Sequence, residues 1–276
     1  YHAQYAWLGG DAVTADVVIE VEGERITSVA QGREADVTLH GVTLPGLANA
    51  HSHAFQRALR GRTQRGGGSF WTWREDMYAL ARTMTPDRCY ELAKGAYAEM
   101  LKAGITTVGE FDYLHFSDAL IAAAHETGIR LTLLDACYLA GGFGVEPNDV
   151  QRRFSDGDAA RWAERVAQIK GAKVGAAIHS VRAVPADQIP TVVEFARGRP
   201  LHFHLSEQRA ENEACLQAHG CTPTELLAEH GALGPDSTAV HATHLTDDDE
   251  RLLRETTICM CPTTERDLAD RIGRAR

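Results

Sequence analysis

Histidine stands at positions 51 and 53, closing the apolar run Leu44-Pro45-Gly46-Leu47-Ala48-Asn49-Ala50. Side chains of a strand alternate between its two faces, so His51 and His53 point the same way. Two imidazoles on one face, at the end of a buried strand, supply half of a metal site of the kind that suits zinc and other first-row metals. A second candidate half lies far along the chain, in His202-Phe203-His204-Leu205-Ser206-Glu207. His202 and His204 share a face by the same alternation, and Glu207 follows three residues after His204. A metal and a nearby carboxylate can act on one water, the metal acidifying it and the glutamate taking its proton. The plainer role for Glu207 is a charge at a helix N-terminus.

Three further segments carry polar groups at the ends of apolar runs. Val240-His241 closes one, which directs His241 toward the same mouth, with His244 as a loop histidine that could exchange roles with it. Ile178-His179-Ser180-Val181-Arg182 closes another. Arginine beside a metal suggests a carboxylate or phosphate on the substrate, gripped by the guanidinium fork. Arg74, in the Trp-rich stretch Phe70-Trp71-Thr72-Trp73-Arg74, offers a second such group. Either arginine taken singly reads equally well as a surface charge. Gly66-Gly67-Gly68 lacks the Lys-Ser/Thr of a phosphate loop and reads as a hinge for a lid.

These groups need a scaffold that brings strand ends together. Residues 1–44 read as a small β module, with Val17–Val21 and Arg25–Val29 as strands around a turn at Glu22-Gly23-Glu24. From 45 to 276 strands alternate with helices. Strands are expected at 44–53, 106–111, 130–134, 173–178, 201–204, 238–241 and 257–261. Helices are expected over 85–104, 118–127, 158–169, 185–197, 209–218, 223–230 and 247–255, with Thr85 and Thr222 as N-caps before Pro86 and Pro223. The stretch 65–74 reads as a loop. Such alternation predicts parallel βα units, and the count points to an α/β fold of (β/α)8 TIM-barrel type with its chemistry after the strands. An eighth strand has no candidate. A barrel short of one strand leaves two unpaired edges, so the chain is expected to be a fragment of a longer enzyme.

The chain has 276 residues, 44% of them hydrophobic, enough for a large core, and a formal net charge of -10. That charge argues against non-specific nucleic-acid binding, and no apolar run approaches a membrane span. Cys89, Cys137, Cys215, Cys221, Cys259 and Cys261 sit largely in apolar runs, as free thiols in a reducing compartment do. Cys259-x-Cys261 could be a metal or redox pair, but strand alternation stopped by Pro262 explains it more simply. A cytoplasmic location is expected.

The segments around these residues resemble the amidohydrolase superfamily: Leu44-Pro45-Gly46-Leu47 leading into His51-Ser52-His53, then His204-Leu205-Ser206-Glu207, then His241. More narrowly, the chain is similar to the formimidoylglutamate deiminase family of histidine degradation. That likeness rests on His51–Gly61, Phe70–Tyr78 and Cys261-Pro262-Thr263-Thr264-Glu265-Arg266-Asp267-Leu268. The resemblance implies one Zn2+ held by His51, His53 and His204, with an aspartate after the eighth strand, beyond Arg276. It implies Glu207 and His241 as acid–base residues. Gln56, Arg74, Tyr113, His179 and Arg182 would contact a small-molecule substrate with two carboxylates, with water attacking the formimidoyl carbon and ammonia leaving. It further implies a homodimer. Two other readings stay open: a deaminase of the same superfamily acting on a nucleobase-like or amidine substrate, and a non-catalytic metal-binding fragment. A serine hydrolase is disfavoured, since no Gly-x-Ser-x-Gly elbow is present.

Overall fold

The computed structural model describes residues 1–63, 69–268, 270, 271 and 273. The chain divides into two compact units, Tyr1–Leu47 and Ala48–Arg276. In the first, β1 (His2–Ala6), β2 (Thr14–Glu22), β3 (Arg25–Gln31) and β4 (Thr38–Thr43) form one sheet in the order β3-β2-β1-β4. β2 and β3 pair antiparallel around the expected turn at Gly23. Ala3, Ala6 and Val17 form its small buried core.

The second unit is built on a seven-stranded sheet in strict sequence order: β5 (Leu47–Ser52), β6 (Ile105–Asp112), β7 (Arg130–Cys137), β8 (Lys173–Ile178), β9 (Leu201–Leu205), β10 (Ser237–His241) and β11 (Thr257–Cys259). Every pair from β6 to β11 is parallel. This is the barrel architecture expected from the alternation, with seven strands among the described residues and β5 and β11 at the two edges. Helices α1 (Phe70–Arg82), α2 (Pro86–Lys102), α3 (Ser117–Thr127), α4 (Ala159–Val166), α5 (Ile189–Phe195), α6 (Arg209–His219), α7 (Pro223–Glu229), α8 (Asp247–Leu252) and α9 (Pro262–Asp267) occupy the connections. Among the described residues no helix is long and apolar enough to cross a membrane.

Local chemistry explains most boundaries. Thr85 caps α2 by accepting from the Arg88 amide, with Pro86 in the first turn. Thr222 and Glu225 cap α7 reciprocally. Gly128 ends α3 in the left-handed conformation that a side chain would strain. At Gly109 on β6, a Cβ would lie 2.6 Å from the Ala50 carbonyl oxygen, so only glycine lets these neighbouring strands approach.

Two expectations on local structure are corrected. Residues 70–74 are the first turn of α1, not loop. Ser69 and Thr72 cap that helix reciprocally, and Phe70, Met77, Tyr78 and Ala81 supply its buried stripe. Pro262 does not merely stop a strand: β11 ends at Cys259, and Pro262 opens α9. The proposed hinge Gly66-Gly67-Gly68 lies outside the described residues.

One buried ionic cluster ties a strand to a helix. Asp135 on β7 is fully buried and accepts from Trp162 Nε1 at 2.9 Å and from Arg165 at 2.8 and 2.9 Å, both donors on α4. Arg165 also reaches Asp156 at 2.7 Å. A lone aspartate in that interior would be costly, and the guanidinium fork satisfies both its oxygens.

Candidate metal centre and cavity

A cavity of about 400 Å³ opens at the carboxyl ends of the strands, within the ordinary range for small-molecule sites. His51 and His53 enter it from the end of β5. The 3₁₀ turn Ala54–Leu59 then delivers Gln56. This turn is anchored by Glu110 Oε1, which accepts from the Ala54 amide at 2.6 Å. Tyr113 follows β6, Tyr138 follows β7, His179 and Arg182 follow β8, Glu207 follows β9 and His241 ends β10. α1 contributes Arg74. With His204 from β9, the structure thus gathers around one cavity the ten residues given metal, acid–base or substrate roles from the sequence.

His51, His53 and His204 converge. The Nε2 atoms of His53 and His204 are 3.3 Å apart, and those of His204 and His51 are 3.2 Å apart. His53 Nδ1 donates to the Phe111 carbonyl at 3.0 Å and His204 Nδ1 to the His179 carbonyl at 2.8 Å. With the ring protons engaged there, both Nε2 atoms present lone pairs, and two lone pairs at 3.3 Å repel unless a cation lies between them. Protonation does not relieve this, because burial holds all three rings neutral: His53 is lowered to about 3, and His51 and His204 are lowered well below the ordinary value. A tetrahedral metal at about 2.0–2.1 Å from each nitrogen would space them about 3.3–3.4 Å apart. The donor set therefore fits a divalent cation, and the backbone carbonyls behind two of the rings fix the required tautomers.

Beside the histidines, Glu207 Oε1 lies 3.5 Å from His241 Nε2. Burial raises the Glu207 pKa, partly opposed by His241. Burial works against a proton on His241, but the carboxylates of Glu207, Glu265 and Asp270 outweigh it, and its pKa rises. His241 and Ala242 take left-handed backbone conformations, with φ of 69° and 50°, which turn the chain at the strand end.

The lining also includes two arginines and three tyrosines. The Arg74 guanidinium sits 4.7 Å from the Trp71 ring centre and 5.6 Å from that of Tyr78. Arg182 makes no ion pair among the described residues. Burial disfavours its charge, yet Glu211, Tyr138, Tyr78 and Glu207 nearby more than compensate. Gln151 Nε2 donates to the hydroxyls of Tyr138 at 2.8 Å and Tyr78 at 3.1 Å. Gln56 donates to the Tyr113 hydroxyl at 3.2 Å. The His179 ring lies against Tyr138 and Tyr113, with centres 4.5 and 5.5 Å apart.

Two histidines considered from the sequence stay outside. His202 is buried but does not line the cavity, and His244 also faces elsewhere. Cys259 and Cys261 do line it. Sequence reasoning missed Glu211, Tyr78, Tyr138 and Glu265. Glu211 sits in the first turn of α6, whereas Glu207 precedes that helix, so no helical spacing links the two in the sequence.

Fold and site together define a parallel α/β barrel with a tri-histidine cluster at the carboxyl ends of its strands. Residues 42–276 match the amidohydrolase family, and the chain belongs to it. It is 37% identical over 261 residues to formimidoylglutamate deiminase of Pseudomonas aeruginosa, covering 86% of this chain and 55% of that protein. It is 29% identical to the 5-methylthioadenosine/S-adenosylhomocysteine deaminase of Natronomonas pharaonis, covering 94% of this chain and 61% of that one. Among solved structures, an amidohydrolase from Brucella melitensis superposes with a TM-score of 0.86 at 36% identity, covering 98% of this chain and 66% of that one. The zinc complex of atrazine chlorohydrolase from Arthrobacter aurescens shares the fold, with a TM-score of 0.86 at 20% identity over 98% of this chain and 67% of that one. The chain thus spans little more than half the length of the P. aeruginosa deiminase.

Proposed function

We propose that this chain carries the site for zinc-dependent deimination of N-formimidoyl-L-glutamate to N-formyl-L-glutamate and ammonia, a step of histidine degradation in the cytoplasm. The observation that carries the reading is one cavity lined by a tri-histidine cluster, a Glu–His pair and two arginines. The 37% identity to a formimidoylglutamate deiminase supports it.

His51, His53 and His204 would hold the metal, whose contribution would be to lower the pKa of bound water to about 7 and to polarise the amidine. Glu207 takes the proton of the attacking water, and the burial that raises its pKa favours holding that proton until it passes to the departing nitrogen. His241, 3.5 Å away, stabilises the charge that develops at the reacting carbon. Water adds to the formimidoyl carbon, the bond to the terminal nitrogen breaks, and ammonia leaves with the proton from Glu207. Arg74 and Arg182 pair with the two carboxylates of the glutamate moiety, while Gln56, Tyr113 and His179 flank its middle. A neutral ring substrate has no use for two cationic partners.

The test is ammonia release from N-formimidoyl-L-glutamate, against 5-methylthioadenosine and 8-oxoguanine. It should be run with the zinc-loaded chain and with a version extended to the length of its relatives. Turnover of the first substrate alone supports the reading. Turnover of a purine instead assigns the site to a nucleobase-type deaminase, and zinc binding with no turnover in either version leaves a metal-binding barrel.

A further inference from the structure

Glu265 stands in the first turns of α9, where a carboxylate commonly serves the helix end. Its Oε1 does accept from the Cys261 amide at 2.8 Å. The same oxygen lies 3.2 Å from His241 Nδ1. The residue is only 2% exposed, and its second oxygen, Oε2, has no partner among the described residues. A carboxylate needed only to finish a helix gains nothing from such burial, because desolvation costs more than one backbone amide returns. An imidazole N–H as second donor supplies what is missing.

The other nitrogen of the same ring, Nε2, faces Glu207 Oε1 at 3.5 Å. His241 therefore lies between two carboxylates, one in the cavity and one behind it. Its ring is also stacked on His204, with centres 5.5 Å apart, and lies 6.0 Å from the ring of His51. Stacking fixes the plane of the ring but not which nitrogen carries the proton.

We propose that Glu265 is a positioning residue, holding His241 with its Nδ1 proton directed at the carboxylate and its Nε2 directed at Glu207 and the reacting centre. A carboxylate behind an imidazole sets its tautomer and orientation without touching the reacting atoms. The proposal rests on the reading of His241 as a participant in the deimination above, but its structural half can be tested without substrate.

The zinc-loaded chain labelled with 15N-histidine is examined by long-range 1H–15N correlation in a pH series carried above the point at which the His241 ring is seen to lose its charge. Signals of His241 are assigned by their loss in His241→Asn. The expected result is the Nδ1–H form in the wild type and in Glu265→Gln, whose amide oxygen still accepts, and conversion mainly to the Nε2–H form in Glu265→Leu. An Nε2–H form in the wild type, or a Glu265→Leu spectrum unchanged at His241, overturns the proposal. The wild-type arm decides even if Glu265→Leu does not fold. In turnover assays kcat should fall about 10- to 100-fold in Glu265→Leu, with KM and zinc content unchanged, and by no more than about threefold in Glu265→Gln. A change confined to KM or to thermal stability overturns it. Absence of turnover in both the chain and its extended version refutes the deimination reading, and the tautomer then decides for or against Glu265 alone.

Discussion

Zinc binding to the tri-histidine cluster should release few protons even in mildly acidic solution. An exposed histidine with a pKa of about 6.5 is about 76% protonated at pH 6, so three of them give up about 2.3 protons to a metal. Here burial, reinforced by mutual repulsion, holds the rings neutral. With His53 at about 3, its protonated fraction at pH 6 is about 0.001, and His51 and His204 are lowered well below the ordinary range. Other sources can contribute. Water acidified to a pKa near 7 adds about 0.1 proton at pH 6, and His241, whose neighbouring carboxylates favour its proton, adds at most one. Glu207, whose pKa burial also raises, can add up to one more, so the count is taken in a His241→Asn, Glu207→Gln double variant, where it should stay at about 0.1. The assay is calorimetric titration with zinc at pH 6 in buffers of different ionisation enthalpy, where the slope of apparent enthalpy against buffer enthalpy counts protons. A count of two or more would refute the argument that burial has already removed these protons.

Replacing Arg182 or Arg74 by Met should raise KM for N-formimidoyl-L-glutamate about 10- to 100-fold with a smaller change in kcat, since each would remove one charge-assisted pair of about 1.5–3 kcal/mol; steady-state kinetics checks this. Glu207→Gln should lower kcat by about 10²–10⁴ with zinc content unchanged, measured as ammonia release. Arg165→Ala should destabilise the fold by about 3–5 kcal/mol in urea unfolding, because it leaves the buried Asp135 without its cation. Burial raises the Glu110 pKa from 4.5 to about 7. The native state therefore binds that proton more tightly than the unfolded chain does. Its contribution to stability is present below about pH 4.5 and is lost as pH rises through 7, about 3 kcal/mol in all. Glu110→Gln, which keeps an acceptor for Ala54, should flatten this limb in denaturation curves recorded between pH 5 and 8.

The sequence by itself determined the period and the punctuation of the molecule. Apolar runs alternating with capped helical stretches sufficed for the parallel βα order, because those signals are local: a Thr–Pro cap before α2 and α7, a glycine after α3, a two-residue alternation through His51 and His53. Chemical residues at the ends of the runs were legible for the same reason, since a strand's direction places its carboxyl end at the barrel mouth. Helix α1 was misread because glycine and tryptophan around it suggested a loop, while the Ser69–Thr72 cap that starts it depends on two short side chains meeting. Distances across the barrel were decided only in three dimensions. No spacing in the chain says that His51 and His204 bring nitrogens to 3.2 Å, that His202 stays out while His204 enters, or that Arg74 from α1 faces the same cavity as Arg182 from the β8 loop. Glu265 is the clearest case: in sequence it is one charge in a polar stretch after Pro262, and only the folding of α9 beside the end of β10 places its carboxylate behind His241. Such contacts arise from side chains on separate elements sharing a buried volume, and local sequence carries no record of which elements will meet.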